Sequence, residues 1–196
     1  AADLHLASLL AVCEIVRRAG LSDLRLVVTP DDRVDDFRRL FGNSVGGVWP
    51  QGDGNLGDRL VRAVRRAFKE SAGPVVLLGA DSPTLPTTTL ESAVASLEDR
   101  DAAIGPCADG GYYLLALRRE TPELFKGIDW GSADVCRQTL SAARSAGIDV
   151  HQLPTWYDLD RFDDVVRAAR DLATVDPVGQ PAGDALRAMI RTLVAE

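Results

Sequence analysis

Apolar side chains recur along this chain at two periods, and where the period changes the expected elements begin and end. In residues 2–19, Leu4, Leu6, Leu9, Leu10, Cys13 and Val16 fall at helical spacing, with Gly20 placed to end the helix. A short β-rich run at 24–29 closes on Pro30-Asp31-Asp32, after which Val34, Phe37, Leu40 and Phe41 return to a helical period. The same reading predicts strands at 45–49, 74–80, 102–106, 112–117 and 148–153. It predicts helices at 56–68, 87–97, 133–146, 162–173 and 184–194. Residues 74–80 are apolar throughout, the pattern of a central strand covered by helices on both faces, with Asp81 at its carboxyl edge.

Strands alternating with helices imply βαβ units. The fold class is therefore α/β, an open doubly wound and mostly parallel sheet in a single domain. The pair 102–106 and 112–117, joined by Ala108-Asp109-Gly110-Gly111, leaves room for one antiparallel excursion. Residues 175–183 hold the chain's only linker-like composition. They divide a domain at 1–174 from a C-terminal linker and helix at 175–196.

Composition removes several functional classes. With 46% hydrophobic residues among 196, the chain can bury a sizeable core. Twenty-two basic residues against 29 acidic give a net charge of −7, and no basic stripe appears, so nucleic acid is not an expected partner. No apolar run approaches the roughly 20 residues of a membrane-spanning helix, and no export signal opens the sequence. Cys13, Cys107 and Cys136 form no C-x-x-C pair, which fits a reducing cytoplasm better than a disulfide framework or a thiolate zinc site. His5 and His151 lack ligand partners at suitable spacing and read as structural or surface residues. No G-x-S-x-G occurs, so a hydrolase triad has no support.

In an open α/β sheet, ligands bind beyond the carboxyl ends of the strands, and the polar residues there are mostly acidic. Asp81, in Leu78-Gly79-Ala80-Asp81-Ser82-Pro83, is either a hard ligand for Mg²⁺ or Mn²⁺ or a cap for the following helix. Alternation puts Asp158 and Asp160 on one side of an extended segment, and a cation shared by Asp81 and Asp160 would explain both acids. Asp163 and Asp164 are accounted for by the helix dipole. Asp109, in Gly105-Pro106-Cys107-Ala108-Asp109-Gly110-Gly111-Tyr112-Tyr113, lies either at a ligand site or in an ordinary Asp-Gly hairpin. Gly52, Gly54 and Gly57 match G-x-G-x-x-G, and Asp81 follows Gly57 by 24 residues. The preceding strand is short and ends in Pro50, which speaks against a dinucleotide fingerprint. A nucleotide can still meet the backbone of Gln51, Gly52, Gly54, Asn55, Gly57 and Arg59 at this helix entry.

These stretches, in this order, resemble a bacterial family of candidate glycosyltransferases with the glycosyltransferase A, or nucleotide-diphospho-sugar transferase, fold, long carried as a domain of unknown function. The superfamily includes phospholactate and molybdenum-cofactor guanylyltransferases. The resemblance also rests on Asp129-Trp130-Gly131-Ser132 and Tyr157-Asp158-Leu159-Asp160 with Asp164, and covers roughly residues 2–172. It implies a nucleotide-sugar or NTP site and a small-molecule acceptor. Asp81 would be the metal-binding acid and Asp160 the second acidic position, while Gly110, Gly111, Tyr112 and Trp130 would line the acceptor side. Asp109 would serve as general base, with Asp129 as the competing one.

The sequence departs from the family at three places. The family's opening strand and basic phosphate loop are expected to be missing ahead of residues 2–19. Asn55 stands where an acid is usual, and Arg161-Phe162 where Thr-Pro is common. The readings carried forward are a metal-dependent glycosyltransferase, a guanylyltransferase-like nucleotidyltransferase, and a nucleotide-binding module without turnover.

Overall fold

Every element expected from the apolar pattern within the described residues forms, with ends trimmed by local chemistry. The computed structural model describes residues 2–21, 23–174 and 184–190. Its helices are α1 (Ala2–Arg18), α2 (Val34–Phe41), α3 (Leu56–Glu70), α4 (Thr87–Ser96), α5 (Val135–Ser145) and α6 (Phe162–Thr174). Its strands are β1 (Arg25–Val28), β2 (Gly47–Pro50), β3 (Val75–Leu78), β4 (Ala102–Pro106), β5 (Tyr112–Leu117) and β6 (Val150–Gln152). Residues 184–190 are also helical; the expected linker at 175–183 and the end of the last helix lie outside the described residues.

Capping sets where α3 begins. The Asn55 side chain accepts from the Asp58 N–H at 3.0 Å and the Asp58 carboxylate accepts from the Asn55 N–H at 3.1 Å, so two orphan donors are satisfied at once. Ala63 and Val64 face the core, while the intervening positions carry Arg62, Arg65 and Arg66 outward. In the last helix, Leu186 and Ile190 are buried against Ala7 and Ala11 of α1 and Val165, Ala168 and Leu172 of α6.

The sheet is mixed. β1 and β2 form a parallel pair, and a second ladder runs β3-β5-β4-β6. β4 and β6 are parallel, whereas β5 is antiparallel to both neighbours and constitutes the expected excursion. The two faces of β3 are covered: Val76 and Leu78 pack with Val16 and Leu90, and Leu77 packs with Leu60 and Val64. The expectation of a central strand needs correcting, because among the described residues β3 pairs on one side only. Burial of both faces is a property of side chains, and it leaves open whether the backbone has one neighbour or two.

Asp101 joins three strands at the opposite edge. Its carboxylate accepts from Arg118 Nη2 at 2.5 Å and from the Asp149 N–H at 3.1 Å, and lies 3.4 Å from Arg119. The Asp149 amide first, then Arg118, holds its carboxyl below the usual aspartate range. A carboxyl whose affinity for protons falls on folding stabilises the fold above the unfolded-state pKa and loses that contribution as pH falls through the folded value. Asp101→Asn is therefore expected to lower stability by about 1–2 kcal/mol at pH 7. The deficit should shrink below about pH 3, as urea melts at the two pH values will show.

All three cysteines are free. Among the described residues no helix is long and apolar enough to cross a membrane.

Candidate functional site

A cleft of about 1170 Å³ opens along the carboxyl edges of the strands, and His5, Gln51, Asp81, Asp109, Gly111 and Asp158 are among its lining residues. Its acidic end is built by backbone bonds. The Ala108 N–H donates to the Trp156 carbonyl at 3.1 Å and the Trp156 N–H to the Pro106 carbonyl at 3.0 Å, which lays residues 156–159 alongside the end of β4. The Leu159 N–H then donates to the Asp81 carbonyl at 2.8 Å, fixing the Asp158-Leu159-Asp160 segment against the turn after β3.

Asp109 arrives from the β4–β5 turn. The Gly111 N–H donates to Asp109 Oδ1 at 2.8 Å and the Cys107 N–H to the Gly111 carbonyl at 3.0 Å. Gly110 has φ +96° and sits so close to the segment leading into α5 that a Cβ would lie 1.8 Å from the Ala133 carbonyl oxygen. Its carbonyl accepts from the Cys136 N–H at 2.9 Å. This glycine exists to let the turn dock, and the space beside it is filled by the chain itself.

The outcome is a group of ligand atoms from Cys107, Asp109 and Asp158, all within 4.8 Å of one another. Burial pushes the Cys107 thiol up to about 12, with the carboxylates of Asp158 and Asp109 adding to the effect. The thiol therefore stays protonated near neutral pH and hydrogen-bonds Asp158. Asp158 is raised above the usual aspartate range by desolvation first, then by the charges of Asp160, Asp109 and Asp164. A crowded carboxylate such as Asp158 is relieved by a cation as well as by a proton. With the Cys107 thiol protonated, the donors of the group are carboxylate oxygens, hard ligands that fit Mg²⁺ or Mn²⁺.

The expected site residues divide. Asp81 lines the cleft, and its carboxylate is 3.3 Å from His5 Nδ1, with both side chains more than half exposed. Asp160 is exposed, and its charge acts on Asp158 and Cys107. Gln51 and Arg59 line the cleft and bond each other at 3.3 Å. The Gly52 N–H, by contrast, is bonded to Asp31 and the Asn55 N–H to Asp58, so these loop amides are already committed. Gly54 holds a left-handed turn with φ +104°, and its carbonyl accepts from Arg59. Gly57 admits the Trp130 indole, whose Nε1 lies 2.3 Å from where a Cβ would stand. Trp130 and Tyr112 meet edge to face at 6.4 Å along the cleft wall, with the Tyr112 ring packed into the core behind it.

Two participants carried no functional reading in the sequence, His5 beside Asp81 and Cys107 beneath Asp109. The position of His5 in the first turn of the helix that leads into β1 is a usable signal, because that turn must lie at the carboxyl edge.

The family model of an uncharacterized protein conserved in bacteria (DUF2064) matches residues 12–132. No curated protein matches the chain in sequence. Among solved structures, a candidate nucleotide-diphospho-sugar transferase from Desulfovibrio desulfuricans G20 is 31% identical with a TM-score of 0.80, covering 96% of this chain and 85% of its own. Rv0371c from Mycobacterium tuberculosis H37Rv, solved in complex with manganese, is 19% identical with a TM-score of 0.56, over 82% and 85% of the two chains. A 4-diphosphocytidyl-2C-methyl-D-erythritol synthase is 18% identical with a TM-score of 0.51, over 96% and 89%. The last two share the fold alone. With the nucleotide-diphospho-sugar transferase fold in place and the family's pattern running from within α1 to the segment ahead of α5, this chain belongs to the DUF2064 family.

Proposed function

We propose that the protein is a divalent-cation-dependent transferase that moves a sugar from a nucleotide-sugar to a small-molecule acceptor. The observation that carries this reading is the gathering of Asp109 and Asp158 at the carboxyl edge of the sheet, inside a cleft that Asp81 also lines and that has aromatic residues in its wall. A neighbour of the same fold crystallised with manganese supports the choice of ion class. Asp158 would anchor the cation, with Asp81 and Asp160 flanking it. A cation held there would neutralise the diphosphate of the departing nucleotide.

The protein's own residues do the rest. Arg59, positioned by its bonds to Gln51 and the Gly54 carbonyl, would bring its positive charge to the nucleotide, with Gln51 beside it in the cleft wall. Trp130 offers an apolar face to a sugar or acceptor ring. Asp109, exposed at the mouth of the cleft, accepts the acceptor hydroxyl proton as the acceptor oxygen bonds to the anomeric carbon and the bond from that carbon to the diphosphate breaks. The nucleoside diphosphate leaves with the electron pair.

The test supplies the protein with Mn²⁺ and either a panel of nucleotide-sugars or the four NTPs. Release of nucleoside diphosphate from a nucleotide-sugar is expected. Pyrophosphate release from an NTP alone would instead establish a nucleotidyltransferase, and binding without either release a module without turnover.

A further inference from the structure

The loop between β2 and α3 is held by a side chain that stays outside the cleft. Arg62 donates from Nη1 to the Gln51 carbonyl and from Nη2 to the Asp53 carbonyl, the latter at 2.8 Å. Gly52, between those two carbonyls, lies against the guanidinium. It holds φ +72°, and a Cβ there would stand 2.7 Å from Arg62 Nη1. The Gly52 N–H donates in turn to Asp31 at 3.0 Å, so the loop after β1 pins the same residue.

The helix dictates this arrangement. Positions 59 and 62 share a face of α3, and helical side chains lean toward the N-terminal end, which here is the loop itself. Arg65 and Arg66, further along, pair with Glu120 and Glu70. Arg59 and Arg62 instead turn back onto the loop. Arg59 donates from Nε to the Gly54 carbonyl at 3.0 Å and from Nη1 to Gln51 Oε1 at 3.3 Å, and the Gln51 side chain is itself anchored on the Val27 carbonyl at 3.2 Å. The two arginines differ in where they stand: Arg59 is half-buried and lines the cleft, whereas Arg62 is exposed and does not. The donors of Arg59 that the loop leaves unused are available to an anion.

A loop with glycine at 52 and 54 has many backbone shapes open to it. Arg59 is aimed only in the shape that brings Gln51 Oε1 and the Gly54 carbonyl together beside it. A ligand that must wait for one shape binds more weakly in proportion to how seldom that shape is populated. A planar fork bridging two carbonyls of the loop removes this loss before the ligand arrives, and a lysine, with a single nitrogen, cannot bridge them in the same way.

We infer that Arg62 is a positioning residue for the nucleotide end of the cleft, acting through the 51–54 loop on Arg59 and touching no ligand itself. The inference rests on the reading of that end as the place of the nucleotide.

The test has one arm without ligand and one with it. In Arg62→Lys and Arg62→Gln, hydrogen exchange at the Gly52 amide is expected to speed up at least about fivefold, while the Asn55 amide, held by Asp58, keeps its rate. Calorimetry with Mn²⁺ and each of ADP, CDP, GDP and UDP should show the affinity for whichever the wild type binds falling about tenfold in both variants. Arg59→Gln should lose at least as much, and adding Arg62→Lys to it should cost less than about twofold more, because the two residues act as a unit. Additive losses would overturn the inference, as would full affinity in Arg62→Lys with a loss only in Arg62→Gln, which would make Arg62 a charge felt directly by the ligand. Unchanged Gly52 exchange would overturn it as well. A wild type that binds none of the four diphosphates would instead remove the nucleotide reading, and the positioning role with it.

Discussion

Replacing Gly110 by alanine is expected to destabilise the protein by about 3 kcal/mol or more, the largest loss of any glycine substitution in the site. Two effects add. The residue holds φ +96°, which a side chain disfavours, and the new methyl would collide with Ala133 backbone rather than with a side chain able to swing away. Relief requires α5 to move, which breaks the bond from Cys136 to the Gly110 carbonyl and loosens the turn that aims Asp109. Gly131 provides the control. It has the same φ of +96° but nothing within 4 Å of its Cβ position, so Gly131→Ala should lose only about 1 kcal/mol. Urea denaturation of both variants separates backbone strain from collision; equal losses would show that the Ala133 contact is easily relieved.

The second large effect concerns the acids. Asp158→Asn removes the half-buried carboxylate of the cluster and should weaken Mn²⁺ binding at least about tenfold by calorimetry. Asp109→Asn should leave Mn²⁺ affinity within about threefold while slowing transfer by about 10²- to 10⁴-fold, the range for a general base. If Asp109→Asn loses the metal as severely as Asp158→Asn, then Asp109 is a ligand and the acceptor's proton goes elsewhere.

Much of this arrangement could be read from the residues, and the failures have physical causes. The start of α3 at Leu56 and the antiparallel β5 were legible from the apolar period and the short glycine-rich turn, whereas the Asn55–Asp58 cap that fixes that start was not read from the sequence. The all-apolar run 74–80 reported two covered faces correctly but said nothing about its open edge, since pairing is a backbone property set by distant segments. Period-two alternation put Asp158 and Asp160 on one side but could not tell their depth: Asp158 is half-buried, while Asp160 is exposed and acts on it through its charge. Gly110 read as a place for a ligand to approach, and what approaches is α5. In each case the residue type was informative and the neighbour it served lay too far along the chain to be inferred.

The acid cluster as a divalent-cation site is tested most directly by crystals grown with Mn²⁺ and a nucleoside diphosphate, using anomalous scattering to place the ion. The expected peak lies in contact with Asp158 and at least one of Asp81 and Asp160, with the diphosphate reaching the same ion from the side of Gln51 and Arg59. A nucleotide bound in the cleft with no manganese at these carboxylates, or manganese bound at residues outside them, would contradict it.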